Sequence, residues 1–180
     1  VIISGTFAVA ATRDEAWRQL SDLPALVPLL PGCDTIQAEG EGVYRVGATA
    51  RVGPIKTRLE GTVQVGAAEA PESMRLRVEG RDAITASHVR AAILFTLAAP
   101  TPTETAVAYE ADVLVSGRLG TIGQGLLRQT VATLLEEFVR RLDARMKGEP
   151  LRAASTTRLG LTAAARTLRD VIQGQRGNGE

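Results

Sequence analysis

Between Gly117 and Lys147 the chain reads GRLGTIGQGLLRQTVATLLEEFVRRLDARMK, and this stretch limits the folds open to everything before it. From Leu126 onward, apolar residues recur at helical spacing. Leu127, Val131, Leu134, Leu135, Phe138, Leu142 and Met146 form one stripe, with Glu136, Glu137, Arg140, Arg141 and Arg145 mostly off it. That is the pattern of a long helix with a single buried face. Its entry is different. Gly120, Gly123 and Gly125 interrupt what would otherwise be good helix, each at a cost of roughly 0.5–1 kcal/mol relative to alanine. A helix with one apolar stripe needs one apolar surface to cover, and the chain upstream reads almost wholly as strand.

Residues Ile3 to Val9 alternate as a first strand, with Ile3, Gly5, Phe7 and Val9 on one side. Thr12-Arg13-Asp14-Glu15 is a capping box in which the Thr12 hydroxyl accepts from the Glu15 amide. Ala16, Trp17 and Leu20 then give a short helix its buried side. Pro24 to Leu30 predicts a second short helix, ended by Pro31-Gly32. From Cys33 to Ser116 the chain is a meander, with strands expected at 34–39, 43–52, 55–65, 74–79, 88–97 and 105–116. The turns between them fall at Glu39 to Gly42, Val52-Gly53-Pro54, Gly66 to Glu72, Gly80-Arg81-Asp82 and Pro100 to Thr103. Leu59, Gly61, Val63 and Val65 alternate with Arg58, Glu60, Thr62 and Gln64, so one face is dry and one wet. The expected fold is α+β: a curved antiparallel sheet of about seven strands wrapped on a long C-terminal helix, with two short helices after the first strand.

With 180 residues the chain has room for one domain, expected over 1–147, and an extension over 148–180. In that extension Arg152, Arg158, Arg166 and Arg169 are interleaved with leucines over 151–173. This predicts a basic, partly amphipathic helix for an anionic membrane surface or a partner protein, with packing against its own domain as the alternative. The net charge of +1 gives no basis for nucleic-acid binding. A lone cysteine fits a reducing cytoplasm. The opening VIISGTFAVAA lacks a basic region and alternates like a strand, so it does not read as a signal peptide. The expected location is cytoplasmic, with peripheral attachment to the inner face of the cell membrane through the extension.

Several pieces resemble the CoxG family of carbon monoxide dehydrogenase subunits, part of the START-like, SRPBCC helix-grip superfamily. They are Val27-Pro28-Leu29-Leu30-Pro31-Gly32-Cys33, the Val52-Gly53-Pro54-Ile55-Lys56 hairpin, Phe7-Ala8-Val9 before the Trp17 helix, and Ser116-Gly117-Arg118-Leu119 with Ile122-Gly123. The stretch Arg81 to His88 is poorer in glycine than is usual for that family. The resemblance implies a non-enzymatic accessory protein that binds a respiratory quinone, menaquinone or ubiquinone, or another lipid. It also implies a link between a molybdenum-containing hydroxylase and the membrane or electron-transport chain. The alternatives are a polyketide cyclase/aromatase-like enzyme of the same superfamily and a ligand-free assembly factor.

Residue chemistry gives little for catalysis. Cys33 and His88 are each the only one of their kind, which leaves no metal set and no convincing nucleophile couple. Cys33 reads as a small apolar residue at a strand start, and His88 serves a ligand only if it faces inward. Glu136-Glu137 are expected on the exposed side of the last helix, and Glu110 and Asp112 on the wet face of a strand. The glycines of the helix entry do not have phosphate-loop spacing. The positive expectation is an apolar cavity where the helix lid carries glycine instead of large side chains. Its expected lining is Trp17, Leu26, Leu30, Phe95, Tyr109, Leu119, Ile122, Gly123 and Leu126, with Trp17 and Tyr109 as polar handles.

Overall fold

The computed structural model describes residues 1–149, so the expected basic helix over 151–173 lies outside the described residues. Seven strands form one antiparallel sheet: β1 (Ile2–Val9), β2 (Cys33–Gly40), β3 (Val43–Val52), β4 (Ile55–Glu69), β5 (Ser73–Asp82), β6 (Ser87–Thr101) and β7 (Glu104–Ser116). Their order across the sheet is β1-β7-β6-β5-β4-β3-β2, so only β1 leaves the meander, to pair with β7 at the far edge. The two short helices α1 (Arg13–Ser21) and α2 (Leu23–Leu26) follow β1, and α2 runs into a 3-10 turn at Val27–Leu29. The long helix α3 (Gln124–Met146) closes the domain.

Local chemistry sets the ends of the helices. The Thr12 hydroxyl accepts from the Glu15 amide at 3.2 Å and caps α1. Asp22 ends α1 and caps α2, its Oδ1 accepting from the Ala25 amide at 3.1 Å. Gly32 has φ +83°, and a Cβ there would run into the Thr49 carbonyl of β3; this lets the chain fold back sharply into β2.

Some boundaries differ from expectation. β4 continues to Glu69 across a register shift between Val65 and Ala68, where Gly66 to Glu72 reads as a turn. β5 extends through Gly80-Arg81-Asp82, also expected as a turn. The glycine-rich entry is a separate 3-10 turn, Gly117–Thr121, and α3 begins after it with Gly123 as its N-cap. Gly125 alone of the three interrupting glycines lies within α3.

The inner face of the sheet, with α1, α2 and α3, buries two separate apolar clusters. The larger contains Phe7, Val9, Leu20, Leu26, Val107, Phe138 and Leu142, among others. In it Phe7 meets Phe138 edge to face, with centroids 6.5 Å apart. The smaller contains Val52, Ile55 and Leu119, with Leu59, Val89, Val115, Ile122 and Leu127 packed on it. α3 bridges the two, and its only buried residues, Phe138 and Leu142, both lie in its C-terminal half. There the Arg145 guanidinium donates to the Ala25 carbonyl and ties α3 to α2.

Candidate ligand-binding site

The space between sheet and helix is defined by side chains that belong to neither cluster. Strand parity turns Val46 (β3), Val78 (β5) and Val113 (β7) to the inner face, in step with buried Val52, Leu76 and Val107. Opposite them, Leu134 and Val131 lie one and two turns before Phe138 on the stripe of α3. All five are half-buried, and none packs against either cluster. Ala48, Gly61, Gly80 and Ala91 occupy the intervening inner positions. Small residues on the sheet and half-buried side chains on the helix thus form an apolar belt that belongs to neither packed cluster.

The expected lining residues are divided by this belt. Trp17, Leu30, Phe95 and Tyr109 are half-buried against the larger cluster, and Leu26 is buried within it. Leu119 is buried in the smaller cluster, with Ile122 packed on it. Leu126 is 38% exposed and leans on the hairpin tip at Gly53, outside the belt. Gly123 is exposed, with open space where a Cβ would stand. The five residues of the belt itself lie outside the expected set. Inner-face parity on the strands, combined with the upstream half of the helix stripe, is the signal that finds them.

Polar groups inside are few and placed. The Tyr109 ring lies over Gly5 of β1, its register partner, in space that a side chain at position 5 would occupy. Burial raises the Tyr109 pKa, which keeps its phenol protonated and able to donate. Cys33 is half-buried at the start of β2. Burial first, and the neighbouring Asp34 second, push its thiol pKa up, which disfavours a reactive thiolate. His88 faces away from the interior. It lies on the outer face beside Glu79, Arg81 and Arg90, along a groove of about 220 Å³ on the opposite side of the sheet.

Two carboxylates overturn the residue-level reading. Glu137 is not on the exposed side of α3: its side chain is 17% exposed and bonded to Arg140 (2.7 Å) and Arg141 (2.7 Å). The hydrogen bonds from Arg140 lead in lowering its pKa to about 2, against burial. Asp82, read as a turn residue, is buried at 3% exposure. It accepts from the Thr57 hydroxyl (2.5 Å) and from the amides of Arg58 (3.0 Å), Ile84 (2.8 Å) and Thr85 (3.3 Å). These bonds, Thr57's foremost, hold its carboxyl well below the usual range. Thr85 then donates to Ser87, whose hydroxyl accepts from the Leu119 amide at 3.0 Å. The network joins the β3–β4 side, the β5–β6 turn and the 3-10 turn before α3 into one rim. Glu110 and Asp112 are exposed on the outer face, as expected.

The fold has many solved counterparts. A conserved protein from Geobacillus kaustophilus superposes with a TM-score of 0.77 at 21% identity, covering 82% of this chain and 96% of that one. A START superfamily protein from Mycobacterium smegmatis gives 0.60 at 16%, covering 82% and 97%. The Zhui aromatase/cyclase from Streptomyces sp. R1128 gives 0.58 at 16%, covering 83% and 99%. At these identities the likeness is one of fold. No curated protein sequence matches the chain. The family model for CoxG, a carbon monoxide dehydrogenase subunit, matches residues 5–147, which takes in β2 to β7, most of β1 and the whole of α3. On that match the chain belongs to the CoxG family, with the START-like helix-grip fold.

Proposed function

We propose that the protein is an accessory, non-catalytic carrier that holds a respiratory quinone or similar lipid between sheet and helix and serves a carbon monoxide dehydrogenase-like molybdenum hydroxylase. The observation that carries this reading is the belt of half-buried Val46, Val78, Val113, Val131 and Leu134, apolar on both walls and packed on neither cluster. An isoprenoid or acyl chain is the chemistry that such a slot accepts, since it is apolar, slender and adaptable. The protonated Tyr109 phenol lies toward the larger cluster and offers a donor to a quinone carbonyl. Half-buried Trp17 supplies a second apolar wall with a polar edge. The family's name supplies the partner, and the reading of the partner rests on that name.

Among the described residues no helix is long and apolar enough to cross a membrane. Exchange with a bilayer goes through peripheral contact in this proposal. The cyclase-type alternative needs acid–base groups inside the slot. Outward-facing His88 and the raised thiol of Cys33 weigh against it.

Solvent extraction of the purified protein followed by mass spectrometry tests the ligand. The expected result is a co-purifying quinone or lipid, with saturable uptake of added menaquinone or ubiquinone. Recovery of nothing, together with no uptake, overturns the reading.

A further inference from the structure

The two turns and the helix entry that meet at one end of the domain share an unusual surface. Ile84, at the tip of the β5–β6 turn, is 91% exposed, although isoleucine is among the residues most often buried. It is held out firmly: its amide and that of Thr85 both donate to buried Asp82. The same end carries exposed Leu126 and the exposed Gly53-Pro54 hairpin tip, which touch each other. The Arg118 amide donates to the Thr85 carbonyl at 3.3 Å, so turn and helix entry are adjacent.

Charge on this end has one sign. Arg51, Lys56, Arg118 and Arg128 are exposed and form no ion pair with a described residue. Over residues 51–56, 82–86 and 116–128 the sole carboxylate is Asp82, which is buried and fully engaged. Protruding apolar tips within a ring of unpaired cations complement an anionic interface that has an apolar interior. An acidic protein surface would satisfy the cations and leave Ile84 in water.

We propose that this end, and not the C-terminal extension alone, docks the protein on an anionic phospholipid bilayer, with Ile84 and Leu126 entering the headgroup region and Arg51, Lys56, Arg118 and Arg128 at the phosphates. The inference deepens the carrier reading and rests on it for its purpose. The docked end also carries the N-terminal half of α3, on which no side chain is buried, with the smaller cluster between it and the belt.

Sedimentation of the full-length chain with vesicles tests the proposal. Binding is expected to phosphatidylglycerol-containing vesicles, to be weak on pure phosphatidylcholine, and to fall with added salt. The double variant Ile84→Asp/Leu126→Asp, changed at exposed positions, should lose about tenfold or more in binding with its circular dichroism unchanged. Arg118→Glu/Arg128→Glu should lose a similar amount and blunt the salt dependence. Absence of vesicle binding overturns the proposal, as does full binding by either variant. So does loss of binding only when Arg152, Arg158, Arg166 and Arg169 are changed to glutamine. A quinone recovered from a protein that binds no vesicle refutes the docking surface alone. Vesicle binding by a protein without ligand refutes the carrier reading and leaves the surface standing.

Discussion

The two halves of α3 carry the same apolar stripe and do different work. Around Phe138 and Leu142 the helix meets large side chains from β1, β7 and the short helices, and both residues are buried. Val131 and Leu134 belong to neither packed cluster, and nothing on that half is buried. Helical periodicity reports which face is apolar. It does not report whether the opposite wall is thick enough to reach it. A single uninterrupted stripe can therefore be buried along one half and only half-buried along the other.

The largest effect that tests this contrast is on stability. Leu142→Ala should cost about 2–5 kcal/mol in urea unfolding, whereas Leu134→Ala should cost about 1 kcal/mol or less. Equal losses would mean that the helix is packed evenly and the slot is absent.

Ligand uptake gives the next test. Ala91→Leu, placed at the middle of the belt, should abolish quinone or lipid recovery without lowering the melting temperature. In a filled core the same change costs about 1–3 kcal/mol. Gly123→Leu projects into open space at the helix entry and should reduce uptake less than Ala91→Leu. The reverse order would move the slot toward the glycine-rich entry.

Tyr109→Phe removes one hydrogen bond and should weaken quinone binding roughly 3–10-fold while leaving a purely aliphatic ligand unaffected.

The smallest effect concerns acid stability at the packed end. Glu137 has a folded pKa of about 2, below its unfolded value near ~4.3. Its contribution is therefore complete above about pH 4.3 and is lost as pH falls toward 2. Glu137→Gln should flatten that limb of the stability profile, and an unchanged limb would place the acid sensitivity at Asp82, whose carboxyl is also held low.

Much of the fold was legible because alternation and turn chemistry are local. The β3 limits, the Thr12 cap and the Val52-Gly53-Pro54-Ile55 hairpin all follow from neighbours in sequence. The longer ends of β4 and β6 were hidden, since Ala67-Ala68-Glu69 and Ala98-Ala99-Pro100 have neither alternation nor strong β-formers and continue through register shifts. Asp82 reads as a turn residue from Gly80-Arg81-Asp82, and only its bond to Thr57, 25 positions away, shows it to be an anchor. The site was harder still. Among the large residues expected as lining, Leu26 is buried within the larger cluster and Trp17 is half-buried against it. The belt is marked by small side chains, whose meaning depends on what stands opposite them.

The Tyr109 ring over Gly5 has a consequence for how this chain can vary. Any side chain at position 5 collides with the phenol, while trimming Tyr109 removes the objection. The two positions are sterically coupled. Removing the phenol oxygen alone does not clear the site, because the ring carbons of Tyr109 also stand within 3 Å of a Cβ at position 5. A side chain at position 5 is thus accommodated only where the Tyr109 ring is removed or turned aside, and the donor over β1 goes with it.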